Sequence, residues 1–226
     1  MKLVIHQPNY LPYVGFFHKL SLADTLVLMD NTQYDKKFTN RNKIKVPNDS
    51  IWITIPINKK QKFSLNKEIE INNDEPWQED HLKKITRSYT NSNYYKKNYQ
   101  LVFENFYAKK WDYLFDFNYN MLLQIIEWLG LKIKVIKESE LSSKGKSTER
   151  IINIANELGA ETYLSGVGGK EYMNEKLFLD NNINLEFQNF VCSNYNQVFP
   201  EKFIPNLSII DLLFQNGPES LSILQT

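Results

Sequence analysis

The chain has 226 residues, 42% of them apolar, and a formal net charge of +1. That length suits one domain, or one with an insertion, and supplies enough apolar side chains for a real core. A charge so close to balance excludes bulk electrostatic attraction, so nucleic acid is not expected as the main partner. The single Cys192 excludes a disulfide framework and a cysteine-based metal site. The first residues lack the long apolar core and small-residue cleavage site of a signal peptide, and no apolar run is long enough to span a membrane. A soluble cytoplasmic protein is expected.

Residues 3–5 read as a short apolar strand and residues 6–12 as a polar, proline-rich turn. A helix over 13–22 and a second apolar strand over 25–29 follow. Pro8 and Pro12 cannot donate to a ladder, so the chain must leave the sheet there, and Pro12 suits a helix start. Strand, turn, helix and strand make half of a doubly wound sheet, whose ligands sit at the carboxyl ends of its strands. That rule places His6, Gln7, Asn9 and Tyr10 at one strand end and Asp30, Asn31, Gln33 and Tyr34 at the next, facing one crevice. Tyr13 begins the helix beside them. Gly15 in its first turn either lets an anion approach the backbone or only allows close packing.

Residues 42–46 and 50–57 alternate around V-P-N-D-S and predict a β-hairpin that Pro56 ends or places at an edge. Its basic side chains read as a solvated face, or Arg41 and Lys43 reach the crevice to hold phosphate. Residues 59–73 are polar, a loop with a short strand. Glu75-Pro76-Trp77 opens a helical region, with Trp77, His81, Ile85 and Tyr89 on one stripe, that Asn91-Ser92-Asn93 breaks; helices are also predicted near 94–108 and over 111–129, the last closed by Gly130. Their aromatic stripes read as core. Residues 76–129 therefore form a helical insertion covering one side of the sheet within a single domain of residues 1–226, open to use as a lid or as a homo-oligomer surface. The α/β pattern then resumes, with strands over 132–136, 161–164 and 184–187 and a helix over 148–158. Helical turns follow over 171–178, and a final helix over 207–215 is stopped by Gly217-Pro218. The fold expected is α/β, a Rossmann-like mostly parallel sheet with flanking helices.

Chemistry is sought at the strand ends. Ser165-Gly166-Val167-Gly168-Gly169-Lys170 follows a strand and precedes a helix, and small residues there let amides curl around an anion. Its spacing is not the dinucleotide fingerprint. Lys144–Thr148 resembles a P-loop tail, but Glu140 stands where the first glycine belongs, which leaves a helix start capped by Ser147 or Thr148. Of three histidines, none forms an i, i+4 pair, so no zinc helix motif exists and no metal is expected. His6 is a candidate base or phosphate contact, and Asp30 a candidate base, metal ligand or ribose contact. In Pro205–Asp211, Asn206 is an N-cap candidate that also falls near the crevice, and Ser208 and Asp211 read mainly as capping residues.

These stretches together resemble the WbqC-like family. The resemblance lies in I-H-Q-P-N-Y-L-P-Y-x-G-F-F, A-D-x-x-V-x-x-D-x-x-Q-Y, N-R-N-K-I-K, T-Y-L-S-G-x-G-G-x-x-Y and F-x-P-N-L-S-I-I-D-L-L-F-x-x-G-P-E, across residues 5–219. It implies a place among bacterial O-antigen and polysaccharide proteins, and the transfer of glycine or a similar acyl group to an amino sugar. A fainter similarity joins the helix start to nucleotidylyltransferases and pantothenate synthetases. Those carry H-x-G-H where this chain has Tyr13 and Phe16, a change that removes their ATP-phosphate contacts.

Three functions remain open at this point. One is an acyl transferase acting on a nucleotide- or lipid-linked amino sugar with an acyl or aminoacyl donor. Another is a non-catalytic nucleotide-sugar-binding module. The third is an ATP-dependent amide ligase. The sequence names no cofactor.

Overall fold

The computed structural model describes residues 1–61, 63–171 and 173–226, so Lys62 of the predicted 59–73 loop and Tyr172 of the 171–178 turns lie outside it. The chain begins β1 (Lys2–His6), α1 (Val14–Ser21) and β2 (Thr25–Leu28), then a hairpin of β3 (Arg41–Val46) and β4 (Asp49–Thr54). Three helices follow: α2 (Trp77–Tyr89), α3 (Gln100–Ala108) and α4 (Leu114–Leu129). The α/β pattern returns with β5 (Lys134–Lys137), α5 (Ser147–Leu158), β6 (Thr162–Ser165), α6 (Glu175–Asp180) and β7 (Asn184–Phe187). Helices α7 (Ile209–Asn216) and α8 (Ser220–Leu224) end it.

Five strands form one sheet in the order β5-β2-β1-β6-β7, all pairs parallel, and the hairpin stands apart as an antiparallel pair. This is the Rossmann-like α/β arrangement expected. Two-residue alternation sends neighbouring side chains to opposite faces. Val4, Leu26, Leu28 and Leu164 join the apolar cluster that holds residues of α1, α4 and α7, whereas Leu3, Ile5, Val27 and Tyr163 join the one that holds residues of α5 and α6. Both faces are covered, as a parallel sheet requires. Helix α4 buries Leu114, Phe117, Met121, Leu122, Ile125 and Leu129, a 3.6-residue stripe. It stops at Gly130, whose left-handed φ of 67° suits glycine.

Several boundaries move for identifiable reasons. Helix α4 starts at 114 rather than 111 because Ile71 N donates to Asp112 O and Leu114 N to Ile69 O, which holds that segment extended. A π-helical turn, Tyr95–Tyr99, precedes α3. Helix α7 starts at 209 rather than 207 because Val14 N donates to Leu207 O and Tyr13 bridges Ser208. No side chain caps α5 or α7. Thr148 instead accepts the Asn174 N–H, at 3.2 Å. Gly217 ends α7, but Pro218 opens a new turn that leads into α8, a helix the sequence did not suggest.

Asp211 is fully buried and serves as a clamp. Its carboxylate accepts Tyr89 Oη at 3.0 Å, Tyr195 Oη at 3.0 Å and Gln197 Nε2 at 2.8 Å. Tyr89 Oη also accepts the backbone N–H of Lys45, so one acid ties α2, β3, α7 and residues 195–197 together. Burial raises its pKa to about 6, against which the three donors act. A raised acid stabilises the fold fully below its unfolded pKa and loses that contribution as pH climbs through the folded value. Between pH 3.5 and 7 the wild type should therefore lose about 3 kcal/mol of unfolding free energy that Asp211→Asn does not lose, measured by urea titration of both proteins.

Candidate small-molecule site

From β1 the chain winds outward through β2 to β5, then returns to the other side of β1 for β6 and β7. The winding reverses between β1 and β6, and ligands of open α/β sheets bind at such a reversal, beyond the carboxyl ends of the strands. A cleft of about 600 Å³ lies there. His6, Gln7 and Asn9 line it from the end of β1, and Ser165, Gly166, Gly168 and Gly169 from the end of β6. Lys19 of α1 and residues 37–39 close it. A second cavity of about 340 Å³ adjoins it and shares His6, Lys19, Gly166 and Gly168. Tyr13, Gln188, Phe190 and Asn206 complete the smaller one.

The turn that carries these side chains is held by distant backbone. Asn42 Nδ2 donates to Leu11 O at 2.7 Å and to Tyr10 O at 3.3 Å. Tyr10 N donates to Phe38 O at 3.0 Å, and Ile209 N to Pro12 O at 2.9 Å. Leu11 sits at a positive φ of 41°, so the conformation relies on these partners.

His6 Nδ1 lies 2.8 Å from Gln7 O. A carbonyl can only accept, so Nδ1 carries the proton and Nε2 keeps its lone pair. Burial, and then the charge of Lys19, push the His6 pKa down to about 3, so the ring is neutral near pH 7. Lys19 is 4% exposed, and its Nζ has no hydrogen-bond or ion-pair partner among the described residues. Burial alone brings its pKa down to about 8. A buried ammonium without a counter-ion is rare in a protein interior.

The structure gathers some of the expected residues and disperses others. His6, Gln7, Asn9, Ser165, Gly166, Gly168 and Gly169 meet in the larger cleft, and Tyr13 and Asn206 in the smaller. Tyr10 points away, into the aromatic core. His81 Nε2 donates to Thr54 O, so His81 Nδ1 accepts from Tyr10 Oη, which in turn accepts from Tyr107 Oη. Asp30 is buried beneath the rim, where it accepts Ser139 N–H at 2.8 Å. Asn31 O accepts Arg150, which pairs with the buried Glu138. Gln33 bridges Leu65, and Tyr34 is buried with an unpartnered hydroxyl among the described residues. Arg41 and Lys43 lie over the Trp52 ring at 4.6 and 5.2 Å. Phe38, at the edge of the cleft, packs on the same ring. Lys170 lies over Phe187.

The glycines divide by function. A Cβ at Gly15 would strike the Tyr13 and Phe190 rings at 2.5 and 2.7 Å, so close packing requires that glycine. One at Gly169 would strike Ser165 Oγ. At Gly168 a Cβ would meet nothing, and at Gly166 only Lys19 Nζ, at 3.8 Å. Nothing among the described residues requires those two to be small, and both line the cleft.

Sequence reasoning missed Lys19, which a last-turn position on a helix explains as a dipole partner. The signal was its company. Among residues 14–20 only His18 escapes burial, and Lys19 lies three positions after Phe16, whose ring packs edge-on against His6. Among the described residues, no cluster of three His, Cys, Asp or Glu side chains could hold a metal ion, and no helix is long and apolar enough to cross a membrane.

A parallel sheet wound in this order, with its cleft at the reversal, defines a Rossmann-like α/β protein. Within that class the chain belongs to the WbqC-like protein family, whose model matches residues 7–223. It is similar to the uncharacterized protein Rv1507c of Mycobacterium tuberculosis, 26% identical over 221 residues that span 97% of this chain and 95% of that one. No solved structure matches the chain.

Lys19 makes a test of the site's cost. Its pKa falls on folding, so it destabilises the unliganded fold at neutral pH, and the penalty fades as pH rises from about 8 toward the unfolded value of 10.5. Lys19→Met should raise unfolding free energy by about 3 kcal/mol at pH 7, and by much less at pH 10, in urea titrations at the two pH values.

Proposed function

We propose that this chain is a transferase of bacterial cell-surface polysaccharide assembly. It places glycine or a similar acyl group on the amino group of a sugar carried on a nucleotide or lipid. Family membership supports the reading, and one observation carries it: a buried lysine without an acid partner, beside a neutral histidine, in a cleft of the size that small ligands occupy. In this reading residues 76–129 are an insertion in a single domain, and the protein works in the cytoplasm, where nucleotide-linked sugars are made.

The chemistry follows from the two side chains. The sugar amine attacks the acyl carbon of an activated donor, the C–N bond forms, and the bond to the leaving group breaks. His6 is too weakly basic to keep the amine's proton, but its Nε2 accepts a hydrogen bond from the amine and aims its lone pair. The Lys19 ammonium lies where the carbonyl oxygen gathers negative charge, and a cation in a dry cleft is effective there. With a pKa of about 8 it hands a proton to the leaving group and recovers one from the new ammonium. Asp30 takes no part, its Oδ1 being held by Ser139 N–H. The Arg41–Trp52–Lys43 cluster beyond Phe38 offers an aromatic and cationic surface for the carrier's base and phosphates.

The test incubates purified protein with UDP-linked amino sugars and glycine presented as glycine with ATP, as glycyl thioester and as glycyl-tRNA, read by mass spectrometry. One glycyl residue should be added from one of these donors, with kcat/KM falling about 100-fold in Lys19→Met. An unmodified sugar with every donor would refute the reading.

A further inference from the structure

We propose that Lys19 is a binding site for a small oxyanion, carboxylate or phosphate, and that it stands at the junction of two compartments that hold two different ligands at once. The larger takes the sugar-bearing ligand and the smaller the anion-bearing one. The allotment to acceptor and donor rests on the transferase reading; the anion site does not.

Three observations lead here. Two adjoining cavities of about 600 and 340 Å³ share four lining residues, His6, Lys19, Gly166 and Gly168. Two reactants need two chambers that touch at the reacting atoms, and these four residues mark such a junction. The shared wall also carries the only charge facing the smaller chamber among its described lining residues, since His6 is neutral. That charge has no protein partner among the described residues and faces the cavities, where an incoming anion supplies one. Finally, the smaller chamber has the chemistry of a small anion's seat: Phe16 and Phe190 as walls, the Tyr13 hydroxyl and the Asn206 amide as hydrogen-bonding groups, and no carboxylate. The larger chamber is lined by Asp35 and Glu171, which suit the hydroxyls of a sugar, and by Lys37, which suits the phosphates that carry it.

Binding of an anion supplies what folding left out, so it should raise the stability of the wild type in particular. Thermal unfolding at pH 7 is followed with sodium acetate, glycine or inorganic phosphate, at constant ionic strength, for wild type, Lys19→Met and Asn206→Asp. At least one anion should raise the wild-type Tm with saturation. Acetate or glycine acting alone marks a carboxylate site, and phosphate acting alone marks a phosphate site. The shift should vanish in Lys19→Met. Asn206→Asp keeps the backbone, because aspartate tolerates the φ of 57° found there, but it adds a negative charge to the chamber and should weaken the anion at least tenfold. A UDP-linked amino sugar should give a further shift on top of a saturating anion. The proposal fails if no anion shifts the wild type, or if Lys19→Met and Asn206→Asp both respond as the wild type does. Mutual displacement of sugar and anion would overturn the two-chamber arrangement. Anion binding without turnover would leave the Lys19 site standing and remove the transferase reading alone.

Discussion

The backbone of residues 7–12 is the constraint on which the site depends. Two prolines force the chain out of the sheet, and the peptide groups between them have no strand to bond. Asn42, Phe38 and Ile209 bond them instead, from the hairpin, from the segment before it and from the start of α7. Segments far apart in sequence must therefore assemble before His6, Tyr13 and Lys19 have fixed positions. This is how residues 40–45 and the start of α7 bear on the site although most of their side chains face elsewhere.

That division of labour separates what the sequence revealed from what it hid. Strand ends were legible because two-residue alternation and the prolines are local signals, but the sequence set the crevice between the first two strand ends, whereas the sheet order puts the reversal between β1 and β6. Side-chain direction was not legible. Tyr10 is four residues from His6, in the same polar run, yet it belongs to a buried chain with His81 and Tyr107. Asp30 sits at a strand end as expected, but a backbone N–H from residue 139 claims it. Both outcomes depend on partners about 70 to 110 positions away, which no window of sequence contains. Lys19 was overlooked for the opposite reason: a lysine in a final helical turn looks ordinary until its neighbours prove to be buried on every side.

Two buried charged groups, Asp211 and Lys19, differ in their surroundings. Asp211 is buried with three donors and is structurally satisfied. Lys19 is buried with none among the described residues. Strain of the second kind persists where surrounding packing holds it in place, and α1, covered by residues of both cavities and of the core, supplies that packing. Stability and readiness to bind are therefore opposed at this single nitrogen.

The breadth of the smaller chamber has an unexpected origin. Gly15 is pressed between the rings of Tyr13 and Phe190, which are themselves two of that chamber's walls. A methyl group in that gap would have to wedge the rings apart, and the empty chamber is the free space beside them. One hydrogen atom on the far side of the aromatic pair thus sets how wide the hollow stays. The glycine that resembles an anion cradle in the sequence shapes the cavity from behind without ever facing a ligand.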